Sequence, residues 1–177
     1  MKHTMVDLET MGNGPTSAVV QIGGVKFDPM TGTLGEKFTY NVSLPLEIDM
    51  GFDVDGSTIE WWMQQEHKTW MGQEFTPEIA WSKLALFLKG SSYVWSHSTF
   101  DAPIIFYHFK KLKIGMPVKY TAWLDLRTLS QMTKGVYSIP KSVRPDDAHD
   151  ALADAVYQAE WASKCYQILK GGKRGDI

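Results

Sequence analysis

Apolar and polar positions alternate through the first quarter of the chain. His3 to Leu8 reads as a short strand, Ala18 to Phe27 (AVVQIGGVKF) as a β-rich run, and Glu36 to Val42 (EKFTYNV) as a strand of period two. Met11-Gly12-Asn13-Gly14-Pro15 separates the first two as a loop, and Asp28-Pro29-Met30-Thr31-Gly32 turns between the second and third. Connections this short predict three antiparallel strands.

The period then lengthens to that of helices. Ser57-Thr58-Ile59-Glu60 has the spacing of a capping box and predicts a helix from Ser57 to about Gln65. Thr76-Pro77 predicts an N-cap and first helical residue, with the helix running to Lys89 and stopped by Gly90. Tyr93 to Ser96 is a short strand. Asp101-Ala102-Pro103 opens a helix to about Leu112. Ala122 to Leu126 is a further strand, followed by a helix over Asp125 to Met132. Residues 134–147 carry Gly, Ser and Pro and read as a loop. A last helix spans Asp150 to Leu169, with Leu152, Val156 and Ala159 on one apolar face. The final GGKRGDI is expected to fray. Antiparallel early strands and helix-linked later ones make an α/β protein with a mixed sheet flanked by helices. The expectation is one domain over residues 1–170 and a flexible tail over 171–177.

Composition narrows the function. With 44% hydrophobic residues among 177, the chain supports one proper core. A net charge of −2 excludes a polybasic binder, so contact with nucleic acid would need local patches or bound cations. The single cysteine, Cys165, has no partner for a disulfide or metal site and fits a reducing compartment. No apolar run approaches the ~18 residues of a membrane span, and the N-terminus lacks an apolar signal core. A cytoplasmic protein without membrane contact is expected.

The chemistry sits in the carboxylates. Asp7 and Glu9 are two apart on the first strand, so both point to one face while Val6 and Leu8 point to the other. Paired anions repel unless a cation lies between them, and hard divalent cations take oxygen ligands. Taken singly, Asp-x-Glu is common on solvated strand edges, Asp101 fits an N-cap, Asp154 fits a solvated helical residue, and His149 fits a loop histidine at a helix start. Taken together, four carboxylates on separate elements suit two divalent ions roughly 3.5–4 Å apart that clamp a phosphoryl displacement. His149, five residues before Asp154, suits a general base, since an unperturbed imidazole titrates near ~6.5. A helix N-terminus disfavours the imidazolium and keeps the ring able to accept a proton.

DLET near the N-terminus, FD about 90 residues on, and HDALAD near the C-terminus occur in that order. They resemble the three motifs of the DEDDh 3′→5′ exonucleases. With TIEWW, FDAPII and DLRTL they look most like the small single-domain phage and prophage exonucleases and a related bacterial exoribonuclease group. The likeness runs from Met5 to about Trp161. It implies a ribonuclease H-like fold, two Mg²⁺ or Mn²⁺ ions, and release of nucleoside 5′-monophosphates from single-stranded DNA or RNA 3′ ends. It implies that Asp7 bridges both metals, that Glu9 and Asp154 complete one shell, that Asp101 holds the other ion directly or through water, and that His149 is the base. Relatives often carry Asn and Gly shortly before the second-motif Asp; here Ser96-His97-Ser98-Thr99 stands in their place.

On the substrate side, the resemblance sets Thr10 and Met11 against the terminal sugar and base, with Phe100 and His97 beside the second motif. Trp61 and Trp62 lie about 100° apart on a helix, so both do not face one core. Either one is free to stack on a base, worth roughly 1–3 kcal/mol, or both pack against the sheet and the 43–56 loop. Lys110, Lys111, Lys113, Lys141 and Arg144 are candidate phosphate contacts, and Arg127 is a partner for Asp125 or for phosphate. The phage-like resemblance tilts the substrate toward DNA. Many relatives dimerise, so the resemblance admits a homodimer, although no heptad or clear apolar stripe in the sequence marks an interface. Two other readings compete: a non-catalytic nucleic-acid-binding module on the same fold, and a phosphodiesterase acting on small nucleotides.

Overall fold

In a computed structural model, which describes residues 1–66, 70–134 and 149–171, the early alternation folds into β1 (His3–Thr10), β2 (Val19–Asp28) and β3 (Thr33–Val42). Both ladders, β1 on β2 and β2 on β3, are antiparallel. Then follow α1 (Leu44–Asp49), α2 (Gly56–Gln64), β4 (Glu74–Phe75), α3 (Pro77–Leu88), β5 (Tyr93–Ser96), α4 (Asp101–Lys111), a 3₁₀ turn at Tyr120–Ala122, β6 (Trp123–Asp125), α5 (Leu126–Met132) and α6 (Ala151–Leu169). The sheet order is β4-β3-β2-β1-β5-β6, with β5 parallel to β1 and β6 parallel to β5. The strand that carries the acidic pair is therefore paired along both edges.

The two faces of β1 feed two cores. Val6 and Leu8 pack with Ile22, Phe38 and the apolar sides of α3 and α4: Trp81, Leu84 and Leu88, then Ile104, Ile105 and Phe109. Met5 faces the other way, against Val25, Phe27, Leu126, Leu129 and the alanines of α6. Asp7 and Glu9 follow Met5 at the spacing of the pleat and so share the α6 face. A third cluster of Met11, Ala18, Val20, Phe52 and Trp62 lies around the β1–β2 loop and α2.

Several local expectations are corrected. The helix α2 is capped by Asp55, whose carboxylate accepts the Thr58 N–H at 3.0 Å; Ser57 instead donates its hydroxyl to Asp55. The cap thus stands two residues before the predicted serine: Asp is as good an N-cap as Ser, and the Asp55 carboxylate on an extended backbone accepts the N–H three residues on. Thr76 occupies the N-cap of α3 but makes no side-chain cap bond. Gly90 ends α3 with a left-handed φ of +83°, as predicted. The helix α1 and the two-residue β4 were not expected; both are too short to show a period.

The largest correction concerns α6. Its buried residues are Ala151, Asp154, Ala155, Gln158, Ala159, Ala162, Ser163 and Cys165, whereas Leu152 and Val156 are only half-buried. A face of small side chains lets the helix axis come close to the sheet. Gly23 of β2 completes the fit: a Cβ there would lie 2.1 Å from the Ala151 carbonyl group and 2.4 Å from the Leu152 nitrogen. Glycine in mid-strand marks this approach of one backbone to another. Beyond Lys134 and Gly171, the predicted loop and tail lie outside the described residues, as do Lys141 and Arg144. No helix among the described residues is long and apolar enough to cross a membrane.

Candidate active site

The site forms where α6 begins against the end of β1. Gln21 of β2, opposite Glu9 in the ladder, accepts the Ala151 N–H at 2.8 Å and donates to Asp150 at 3.2 Å. Asp150 in turn caps α6, accepting from Leu152 and Ala153 at 3.1 and 2.9 Å. One buried amide thus ties the helix start to the strand beside the acidic pair. The ladder slips between Glu9 and Thr10, an irregularity that re-aims the last side chains of β1.

Asp7, Glu9, Asp101 and Asp154 are all buried, at 9, 7, 1 and 6% exposure. Burial holds the Asp7 carboxyl well above the ordinary carboxylate range, and the charges of Asp101, Glu9 and Asp154 push it further the same way. The Gln158 amide, 2.6 Å from Asp7 Oδ1, acts against them. Asp101 is pushed up to about 7 by burial, although the His97, Asp101 and Leu8 backbone N–H groups and the Arg127 guanidinium favour its charge. It is the first residue inside α4, whose N-cap is Phe100, so its carboxylate does not serve as the cap.

His149 stands at the mouth of α6 with a φ of +72°, a backbone state that is costly for a residue with a Cβ. Its N–H donates to Asp154 Oδ2 at 3.0 Å, which links the two residues of the last motif. The ring meets Trp61 edge to face, with centroids 4.6 Å apart.

A cation fits this donor set. Glu9, His149 and Asp154 each offer a ligand atom, and the three atoms lie within 4.8 Å of one another. Asp101 Oδ2 is buried with no hydrogen-bond partner among the described residues, an acceptor open to a cation. Oxygen-rich, anionic and mutually repelling ligands suit a hard divalent ion such as Mg²⁺ or Mn²⁺.

Beside the carboxylates opens a cleft of about 450 Å³, lined by Leu8, Glu9, Thr10, Asn13, Ser57, Thr58, Trp61, Trp62 and Phe100. Its lining combines aromatic rings with hydroxyl and amide groups, a chemistry suited to a nucleobase and its sugar.

Residues 2–166 match the family described as the 3'-5' exoribonuclease Rv2179c-like domain. The chain belongs to that family. No curated protein sequence matches it. Among solved structures, E. coli exonuclease I in complex with a dA16 oligonucleotide is similar with a TM-score of 0.69 at 12% identity, covering 94% of this chain and 42% of that one. The zinc-bound E. coli exonuclease I–ssDNA complex gives 0.66 at 12% identity, covering 98% and 42%. Exonuclease I of Methylocaldum szegediense gives 0.58 at 15%, covering 97% and 41%. These likenesses are of fold, and they identify the mixed sheet as ribonuclease H-like. The chain spans about two-fifths of the length of those proteins.

Around the five motif residues of this Rv2179c-like domain, the other expected site residues divide. Trp61 is exposed on the cleft, whereas Trp62 is buried, with its indole N–H on the Thr10 carbonyl at 3.0 Å. Thr10 and Phe100 line the cleft. Met11 does not: it is buried among Ala18, Val20, Phe52 and Trp62, because the chain turns inward after Thr10. His97 is half-buried in the turn before α4, and its carbonyl accepts the Phe100 and Asp101 N–H groups at 2.7 and 3.0 Å. Arg127 reaches Thr99 at 3.4 Å rather than Asp125, which caps α5 at Thr128. Lys111 is held on the Gly51 carbonyl at 2.7 Å and over the Phe52 ring, whereas Lys110 and Lys113 are exposed.

Sequence reasoning passed over Gly23, Gln21 and Gln158. Only Gly23 left a local signal, as a glycine inside a strand pattern. The partners of the two glutamines lie 130 and 151 residues away in the chain.

Proposed function

We propose that this chain is a divalent-cation-dependent 3′→5′ exonuclease that releases nucleoside 5′-monophosphates from single-stranded RNA ends. The observation that carries the reading is the gathering of Asp7, Glu9, Asp101 and Asp154, buried and short of positive charge, at the mouth of the helix that presents His149. Asp7, whose carboxyl feels the charges of the other three, would be shared between two cations, Glu9 and Asp154 would hold one of them, and Asp101 would hold the other. Bound there, two divalent cations supply Lewis-acid activation of water and neutralise charge on the leaving oxygen.

The chain's own groups do the rest. His149 is the general base: it accepts the proton of the attacking water, and its backbone bond to Asp154 holds it beside that carboxylate. Trp61, Phe100 and Leu8 receive the terminal base in the cleft, and Thr10, Asn13, Ser57 and Thr58 offer polar groups to the sugar. A 2′-hydroxyl both donates and accepts, so the hydroxyl and amide groups of the lining suit RNA, in line with the family's description. The phage-like resemblance tilts the other way, toward DNA.

The test is digestion of matched 5′-labelled RNA and DNA oligomers with Mg²⁺ or Mn²⁺ and an EDTA control, for the wild type and the Asp7→Ala and Asp154→Ala variants. Stepwise shortening of RNA, lost in EDTA and in both variants, supports the proposal. Faster loss of DNA overturns the choice of sugar, and undiminished cleavage by either variant overturns the site.

A further inference from the structure

The buried face of α6 is built of alanines, with two long polar side chains one turn apart, Asp154 and Gln158. An apolar residue would suit the place of Gln158 if packing were its purpose. The amide carries a visible cost there: Oε1 is buried with no hydrogen-bond partner among the described residues, and such a group loses its hydration without return. What it gains is on the other atom. Nε2 lies 2.6 Å from Asp7 Oδ1. Toward the ionised carboxylate that a cation requires, this is the orientation that works, since the reverse would set two acceptors against each other.

We infer that Gln158 is a positioning residue for the cation centre, which clamps one oxygen of Asp7 and aims the other at the metal. The inference rests on the cation-site reading above and adds to it a residue outside the three motifs. Three features support it. Asp7 is central to the site, as the charges of all three other carboxylates bear on it. Gln158 is 6% exposed, so water does not replace its bond. The small residues around it, Ala155, Ala159 and Ala162, are fully buried against the sheet and hold the helix close enough for the amide to reach. A free carboxylate samples rotamers; one fixed by a neutral donor meets the ion already oriented, and no like charge is added to an anionic site.

The test compares the wild type with Gln158→Met, which keeps the length and drops the donor, and Gln158→Asn, which keeps the amide and shortens its reach. Mn²⁺ affinity is measured by calorimetry on the full chain, thermal stability in EDTA by circular dichroism, and kcat and KM on an oligonucleotide. Outer-shell partners of this kind typically carry about 10–100-fold in metal affinity or activity. Both variants are expected to melt in EDTA near the wild type, to bind Mn²⁺ at least about tenfold more weakly, and to lose kcat with KM little changed. A structural role alone would move the melting temperature and leave the Mn²⁺ constant in place. Wild-type Mn²⁺ affinity in either folded variant overturns the role of Gln158 and leaves the cation site standing. No Mn²⁺ binding by the wild type overturns both. Should Gln158→Met fail to fold, Gln158→Asn decides alone.

Discussion

Replacing Gly23 by alanine tests how α6 is set. The new Cβ would lie 2.1 Å from the Ala151 carbonyl carbon and oxygen and 2.4 Å from the Leu152 nitrogen, where ordinary contacts start at 3.4 Å. The obstacle is backbone on both sides, so no side chain can rotate away. The helix start must retreat by more than ~1 Å, a shift that can cost about 10²-fold in rate when it reaches the reacting groups. It does reach them here: His149 and Asp154 flank the point of contact, and the Gln21–Ala151 bond of 2.8 Å is stretched at once. Overpacking of this kind destabilises by about 1–3 kcal/mol, offset by roughly 0.4–1 kcal/mol from the stiffer unfolded chain. At the size of this domain, a net loss near 1.5 kcal/mol lowers Tm by roughly 3–6 °C. The assay pairs thermal melting with Mg²⁺-dependent release of mononucleotides. Gly56→Ala is the control, because no atom lies within 4 Å of its new Cβ. A Gly23→Ala protein with full activity and unchanged Tm would refute the close packing of α6 on β2 as the device that sets the site.

Three further outcomes are expected. Asp101, with its pKa raised to about 7, and Asp7, raised well above the usual range, hold protons in the folded chain that the unfolded chain releases near ~4. The metal-free protein should therefore lose stability as pH rises from about 4 toward 7, by up to ~1.4 kcal/mol per pH unit for one group. Melting in EDTA against Mg²⁺ at pH 5.5 and 8 checks this, with the larger Mg²⁺ gain at pH 8. His149→Ala should lower kcat by about 10²–10⁴-fold with KM nearly constant; equal losses in both would argue against a base. Trp61→Ala should weaken oligonucleotide binding by about 1–3 kcal/mol, read by fluorescence anisotropy in Ca²⁺, while the buried Trp62 should register mainly in stability.

What the sequence disclosed follows from where each cause lies in the chain. The strands β1 to β3 were legible because alternation and turn chemistry are local, and Gly90 marked the end of α3 for the same reason. The acidic centre was legible because its chemistry demands particular residue types, and Asp7, Glu9, Asp101, His149 and Asp154 supply them in a recognisable order. The buried face of α6 was misread, since large apolar residues ordinarily mark a core and here alanines do so against Gly23. The helix α1 escaped notice although Ser43-Leu44-Pro45 carries a helix-start signal; its Glu47 is buried against His108 at 2.8 Å, a partner 61 residues away. Met11 was set against the terminal base by the resemblance, and its burial among Ala18, Val20, Phe52 and Trp62 depends on packing between distant segments that its local sequence does not show. Gln158 and Gln21 acquire meaning only once β1, β2 and α6 are packed.

A crystal of the wild-type chain soaked in Mn²⁺ and measured for anomalous scattering tests the central claim most directly. The account predicts two peaks roughly 3.5–4 Å apart, ringed by Asp7, Glu9, Asp101 and Asp154. Manganese absent from Asp7, or bound only at exposed acidic residues elsewhere, would contradict it.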